Sequence, residues 1–115
     1  MSELLNEERI GEIRNMAGRA NPALMGKFVS TYIATVKPII EELANVPVEE
    51  TEKIEHLSHK LAGASANIGA DKLFKLGKEM QKKASLYSEA NYIKDRTELI
   101  QCAEATFKEL EETLQ

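Results

Sequence analysis

Apolar residues recur at three- and four-residue steps along nearly the whole chain, and no strand-length stretch alternates apolar with polar side chains between turn signals. That period belongs to helices packed on one another, so the spacing predicts an all-α protein. A first helix should run from about Asn6, a good N-cap, to Ala17, with Ile10 and Ile13 on one side and Gly18 as its stop. Asn21 and Pro22 offer an N-cap and a first-turn proline to a second helix, whose stripe is Leu24, Phe28, Tyr32, Val36, Ile39 and Leu43. Pro38 falls inside that stripe, where it removes a backbone donor and crowds the preceding turn. It predicts a kink or break near residues 35–37, and Pro47 closes the segment.

A third helix is expected from near Glu49 to Asn67, with Glu49 and Glu50 against its N-terminal dipole and Gly69 permitting a tight turn. A fourth should span about Asp71 to Tyr87, carrying Leu73, Leu76, Met80 and Ala84 inward, after which Ser88 can cap a fifth. In that last helix Ile93, Ile100, Phe107 and Leu114 recur every seven residues, with Leu99, Ala103 and Leu110 filling the stripe. Four long amphipathic helices with short connections imply an antiparallel four-helix bundle with a short extra N-terminal helix, one domain over residues 1–115.

Composition narrows the function. Nineteen acids against fifteen bases leave a net charge of −4, the wrong sign for a nucleic-acid binder that works by displacing counterions. The longest uncharged stretch near the middle, Leu61 to Ala70, is mostly small and about half the length a bilayer-spanning helix needs, so no membrane span is expected. Glu3, Glu7 and Glu8 stand where a secretory signal would need basic residues, and the single cysteine, Cys102, can form neither an internal disulfide nor a multi-thiolate metal site. A reducing compartment, the cytoplasm, is the expected location.

On a helical wheel, Ile54, Leu57, Leu61, Ala64 and Ile68 of the third helix share one sector of roughly 80°. His59 lies about 180° from its centre, so the reasoning that buries Leu57 and Leu61 sends this imidazole outward. Its neighbours at i+3, i+4 and i+7 are Ala62, Gly63 and Ala66, where a solvated helix would normally carry long charged side chains. Glycine at mid-helix costs about 1 kcal/mol relative to alanine. Close approach of a partner's backbone over Ala62, Gly63 and Ala66 would account for it; tight packing of a neighbouring helix is the structural alternative.

Charge points to the same segment. Residues 51–85 carry Lys53, Lys60, Lys72, Lys75, Lys78, Lys82 and Lys83 against Glu52, Glu55, Asp71 and Glu79, an island of +3 in an acidic chain, which suggests an acidic partner. Gln81 on the fourth helix lies at the flank of the apolar stripe, with Lys78 and Lys82 further out. A neutral imidazole is nucleophilic through its unprotonated nitrogen, and a hydrogen bond at the other selects the tautomer. Gln81 accepting from Nδ1–H would leave Nε2 free to attack.

The run His59-Lys60-Leu61-Ala62-Gly63-Ala64-Ser65-Ala66-Asn67-Ile68-Gly69-Ala70 resembles the signature of histidine-containing phosphotransfer (HPt) domains. In that family a histidine is followed by lysine-rich and small residues, a glycine four positions on, then serine and a Gly-Ala turn. The resemblance extends over the whole chain as a helix pattern, and it matches Gln81 to the glutamine that hydrogen-bonds the reactive ring. It implies a phosphorelay intermediate of two-component signalling, in which His59 accepts a phosphoryl group on Nε2 from a receiver-domain aspartyl phosphate and passes it to another receiver. Many members carry lysine three residues after the histidine, where this chain has Ala62. Lys60, which matches a family position, is then left to supply the nearby positive charge alone or with Lys78 or Lys82. His56 does not match the reactive position.

No phosphate-cradling glycine loop or Mg²⁺-holding carboxylate cluster is recognisable, so the partner must bring both; the expected protein is a phosphocarrier with no cofactor of its own and no ATP-dependent kinase activity. Its expected partners are response-regulator receivers and a hybrid sensor histidine kinase, met transiently by a monomer. Two rivals remain: a non-catalytic helical adaptor, and a bundle metal site built from His56, His59, Glu52 and Glu55. Against the second, di-metal bundles draw ligands from several facing helices, and these four residues share one.

Overall fold

A computed structural model describes residues 3–20 and 23–114. Among these, five helices and no strand occur: α1 (Glu7–Ala20), α2 (Ala23–Leu43), α3 (Thr51–Ile68), α4 (Asp71–Lys83) and α5 (Glu89–Leu114). Helices α2 to α5 close into a ring, each packed on the next and α5 back on α2, while α1 packs on α2 and more lightly on α3. Gly69 and Ala70 alone connect α3 to α4, which forces those two helices antiparallel. Tyr32, midway along α2, meets Ser65 late in α3 and Phe107 late in α5, while Arg96 early in α5 bonds the Leu43 carbonyl at the end of α2, so α2 runs antiparallel to α5. The expected bundle with an additional N-terminal helix is what forms.

The α3–α4 turn is tightly specified. Gly69 adopts a left-handed conformation, φ 79°, and its N–H donates to the Ala66 carbonyl while Ala70 N–H donates to that of Ser65. This is a Schellman closure, which spends glycine where a side chain would be strained. A Cβ there would also lie 3.0 Å from the Cβ of Arg9. The N-terminal segment holds the same turn from outside: Asn6 N–H donates to the Gly69 carbonyl at 2.7 Å, Lys72 N–H to that of Leu4, and Arg9 Nε to that of Asn67 at 2.8 Å. Asn6 caps α1 as expected, its Oδ1 accepting from Arg9 N–H, and Ser88 Oγ caps α5 through Asn91 N–H.

At the opposite end, Tyr92 donates its hydroxyl to the Val46 carbonyl at 2.8 Å, and Arg96 covers the Tyr92 ring while donating to Val46. Arg96 also reaches the Leu43 carbonyl at the end of α2, at 3.4 Å, so the start of α5 is tied both to that helix end and to the loop that follows it. Cys102 is buried, bonded to Thr106, and burial pushes its thiol pKa up.

Several expectations need correction. Gly18 does not stop α1, which reaches Ala20, and the proposed Asn21–Pro22 cap lies outside the described residues. Pro38 does not break α2; it stands on the exposed side together with Ala34, so the carbonyl it deprives of a donor faces solvent rather than the core. Phe28 is 41% exposed and Val29 takes its place inside. Helix α4 ends at Lys83, not Tyr87, because Tyr87 is drawn out of helical register to donate to Asp95 and lie against Tyr92, and Lys82 and Lys83 complement the helix C-terminus. The inner stripe of α5 keeps the expected Leu99, Ala103 and Leu110 and adds Tyr92 and Thr106, while Ile100 and Phe107 are only partly buried against the core and Ile93 is 45% exposed. Tyr92 and Thr106 are admitted to the interior because each hydroxyl donates to a backbone carbonyl.

The buried Tyr32–Ser65 pair, 2.7 Å between hydroxyls, fastens α2 to α3 directly behind the exposed face of α3. Burial pushes the Tyr32 pKa up to about 12, with a smaller lowering by Ser65. The unfolded chain therefore releases this proton first, near pH 10, and the stabilisation present below that value is lost as pH rises towards 12. Tyr32→Phe should cost about 1 kcal/mol at neutral pH. Urea unfolding followed from pH 9 to 12 should show a shallower alkaline loss in the variant than in the parent.

Candidate functional site

Helix α3 buries Ile54, Leu57, Leu61 and Ile68 towards the bundle and turns His59 to solvent. From His59, Nδ1 lies 3.4 Å from Oε1 of Gln81 on α4. An amide oxygen can only accept, so in the neutral ring this contact puts the proton on Nδ1 and the lone pair on Nε2. The ring borders a shallow, open cavity of about 460 Å³ whose other walls are Glu52, Glu55, His56 and Gln81.

What brings Gln81 to the histidine is a glycine one turn earlier. Gly77 faces α3 so closely that a Cβ on it would lie 3.2 Å from the Ser58 carbonyl oxygen and 3.3 Å from the Ala62 Cβ. Ser58, fully buried, keeps its hydroxyl within its own helix by donating to the Ile54 carbonyl at 2.6 Å. Ala62 is 1% exposed, which corrects its assignment to the partner-facing surface: its small side chain serves the α3–α4 contact instead. Gly63 behaves in the opposite way. A Cβ there would meet nothing within 4 Å, so helix packing does not explain this glycine, and Ala66 beyond it is likewise exposed. Close helix packing belongs to Gly77, whose place in the Leu73, Gly77, Met80, Ala84 row was the available signal.

Lys78 and Lys82 are exposed on α4 and line a second cavity of about 730 Å³, floored by Phe74. Glu55 and Gln81 belong to both cavities and form the rim between the lysines and His59. Lys60 is exposed about 100° around α3 from His59, on the side away from Ala62 and α4, and borders neither cavity. On that same side Phe28 and Met16, both exposed, open onto an apolar groove of about 650 Å³ between α1, α2 and α3 that reaches Ala64 and Asn67. Although Glu52, Glu55, His56 and His59 share a cavity, no three His, Cys, Asp or Glu side chains among the described residues converge to hold a metal ion. No described helix is long and apolar enough to cross a membrane.

Comparison with protein families matches the Hpt domain over residues 27–115. The chain belongs to the Hpt domain family. No significant match appears among curated proteins or among solved structures. Hpt domains are phosphocarrier modules, not kinases, and membership implies phosphotransfer in a two-component phosphorelay, with response-regulator receiver domains and histidine kinases as partners.

The two mid-helix glycines of this Hpt domain should respond oppositely to substitution. Gly63→Ala has open space and gains helix propensity, so it should raise stability by up to about 1 kcal/mol in urea unfolding. Gly77→Leu should lower it by about 1–3 kcal/mol through overpacking, and NMR should show the His59 ring freed from Gln81.

Proposed function

We propose that this Hpt domain is a phosphorelay intermediate in which His59 takes a phosphoryl group from the aspartyl phosphate of one receiver domain and delivers it to the aspartate of another. The observation that carries this reading is an exposed imidazole with Nδ1 turned to Gln81 Oε1 and Nε2 left open. The Nε2 lone pair forms an N–P bond as the P–O bond to the donor aspartate breaks, and that carboxylate leaves with the electron pair. The ring then holds its proton at Nδ1 against Gln81, and the reverse steps on a second receiver return it to neutral imidazole.

The receiver brings the Mg²⁺ and the carboxylates that hold it. Lys78 and Lys82, behind the Glu55–Gln81 rim, attract an acidic partner to this face, and Lys60, farther around α3, adds to the same long-range attraction. The receiver backbone comes down over Gly63 and Ala66, and its apolar surface covers the groove at Phe28 and Met16, which would otherwise leave large side chains in water. A monomeric, cytoplasmic carrier that meets its partners transiently fits this exposed site.

His59→Gln should abolish acid-labile labelling by a phosphorylated receiver and leave helical content unchanged; persistent labelling overturns the assignment. Gly63→Gln should weaken receiver binding several-fold without unfolding the bundle. Receiver binding with no label on the parent protein would favour the adaptor instead.

A further inference from the structure

The charge immediately around His59 is negative, although the segment as a whole is positive. Side chains on a helix lean towards its N-terminus, so the His59 ring projects over the turn that carries Glu55 and His56, with Glu52 one turn further. On the helical wheel Glu55 lies about 40° from His59 and Glu52 about 20°. The cavity walls agree: Glu52 and Glu55 line the space beside the ring, and no lysine does. The lysines of α4 stand behind the Glu55–Gln81 rim, and neither carboxylate is neutralised by an ion pair among the described residues.

Resting on the phosphorelay reading, we propose that Glu52 and Glu55 are positioning charges that raise the phosphoryl-transfer potential of His59, making it a donor that empties towards receivers rather than a store. Neutral imidazole carries no charge, so the two carboxylates cost little before transfer. Once Nε2 bears a phosphoryl group its oxygens carry about two negative charges, and both carboxylates then repel it. Breaking the N–P bond while the acceptor aspartate oxygen forms its P–O bond moves that charge onto the receiver and returns Nε2 its electron pair. The repulsion therefore acts on phosphohistidine alone and shifts the partition towards the receiver.

The test uses a receiver domain that labels the parent protein, charged beforehand with acetyl phosphate and freed of excess donor. At equilibrium the ratio of phosphohistidine to phosphoaspartate is read by acid and base stability of the label. Glu52→Gln/Glu55→Gln should raise the phosphohistidine share on the order of three- to tenfold, and Glu52→Asp/Glu55→Asp should keep it near the parent value. Raising salt from 0.1 to 1 M shortens the screening length from about 10 Å to about 3 Å, so it should lift the parent share and barely move that of the glutamine variant. Circular dichroism checks that helical content is kept. An unchanged partition with a labelled parent overturns this inference alone, whereas a parent that no receiver labels overturns the function and the inference with it.

Discussion

Everything particular to this bundle depends on how closely α4 can approach α3. Gly77 has no side chain to hold the helices apart, Ser58 and Ala62 are small, and the Ser58 hydroxyl is satisfied within its own turn. With a larger residue at any of the three, α4 would stand off and Gln81 would no longer reach the His59 ring. The 3.4 Å contact between Gln81 and His59 is thus an outcome of packing one turn away rather than of the two residues themselves. The Gly69 closure keeps the approach in register, because only Gly69 and Ala70 separate the helices and Asn6, Arg9 and Leu4 bond to that turn from outside.

The helices and the exposed histidine were legible in the sequence because a 3.6-residue period and a ring opposite the apolar sector are local facts. What was misread follows one physical pattern. Tyr92 and Thr106 count as surface residues when side chains are ranked by polarity alone, yet each hydroxyl finds a backbone carbonyl, and both join the expected Leu99, Ala103 and Leu110 inside while Ile93 is left exposed. Tyr87 ends α4 early through its bond to Asp95, a partner on another helix that no local pattern announces. Ala62 and Gly63 are adjacent small residues that sequence treats alike. Only the position of α4 separates them, the first being walled in and the second open.

Buried polar groups also decide which way α3 faces. Ser58 and Ser65 lie on its inner side with Ile54 and Leu61, and the Ser65 hydroxyl is hydrogen-bonded to that of Tyr32, whose ring meets Phe107 edge-on at 6.0 Å. A helix held by leucines alone can rotate by some tens of degrees with little loss, since apolar contacts are not directional. The hydroxyl pair does not tolerate that rotation, because turning α3 would leave both groups buried and unpaired. The direction of the His59 side chain is therefore fixed by a buried bond about 120° around its own helix.

Exposure limits what the surrounding charges can do for His59. Carboxylates and ammonium groups in water act on one another weakly, so neither the lysines of α4 nor Glu52 and Glu55 can activate the imidazole as a buried charge would. Their effect has to be one of balance, a modest bias between a phosphorylated and a free ring. A carrier that exchanges its cargo with two partners needs that modesty. A site that gripped the phosphoryl group strongly would trap it, and one enclosed enough to speed the chemistry alone would shut out the receivers. Orientation from within, set by Gln81 and the α3–α4 packing, and catalytic power from the partner satisfy both conditions at once.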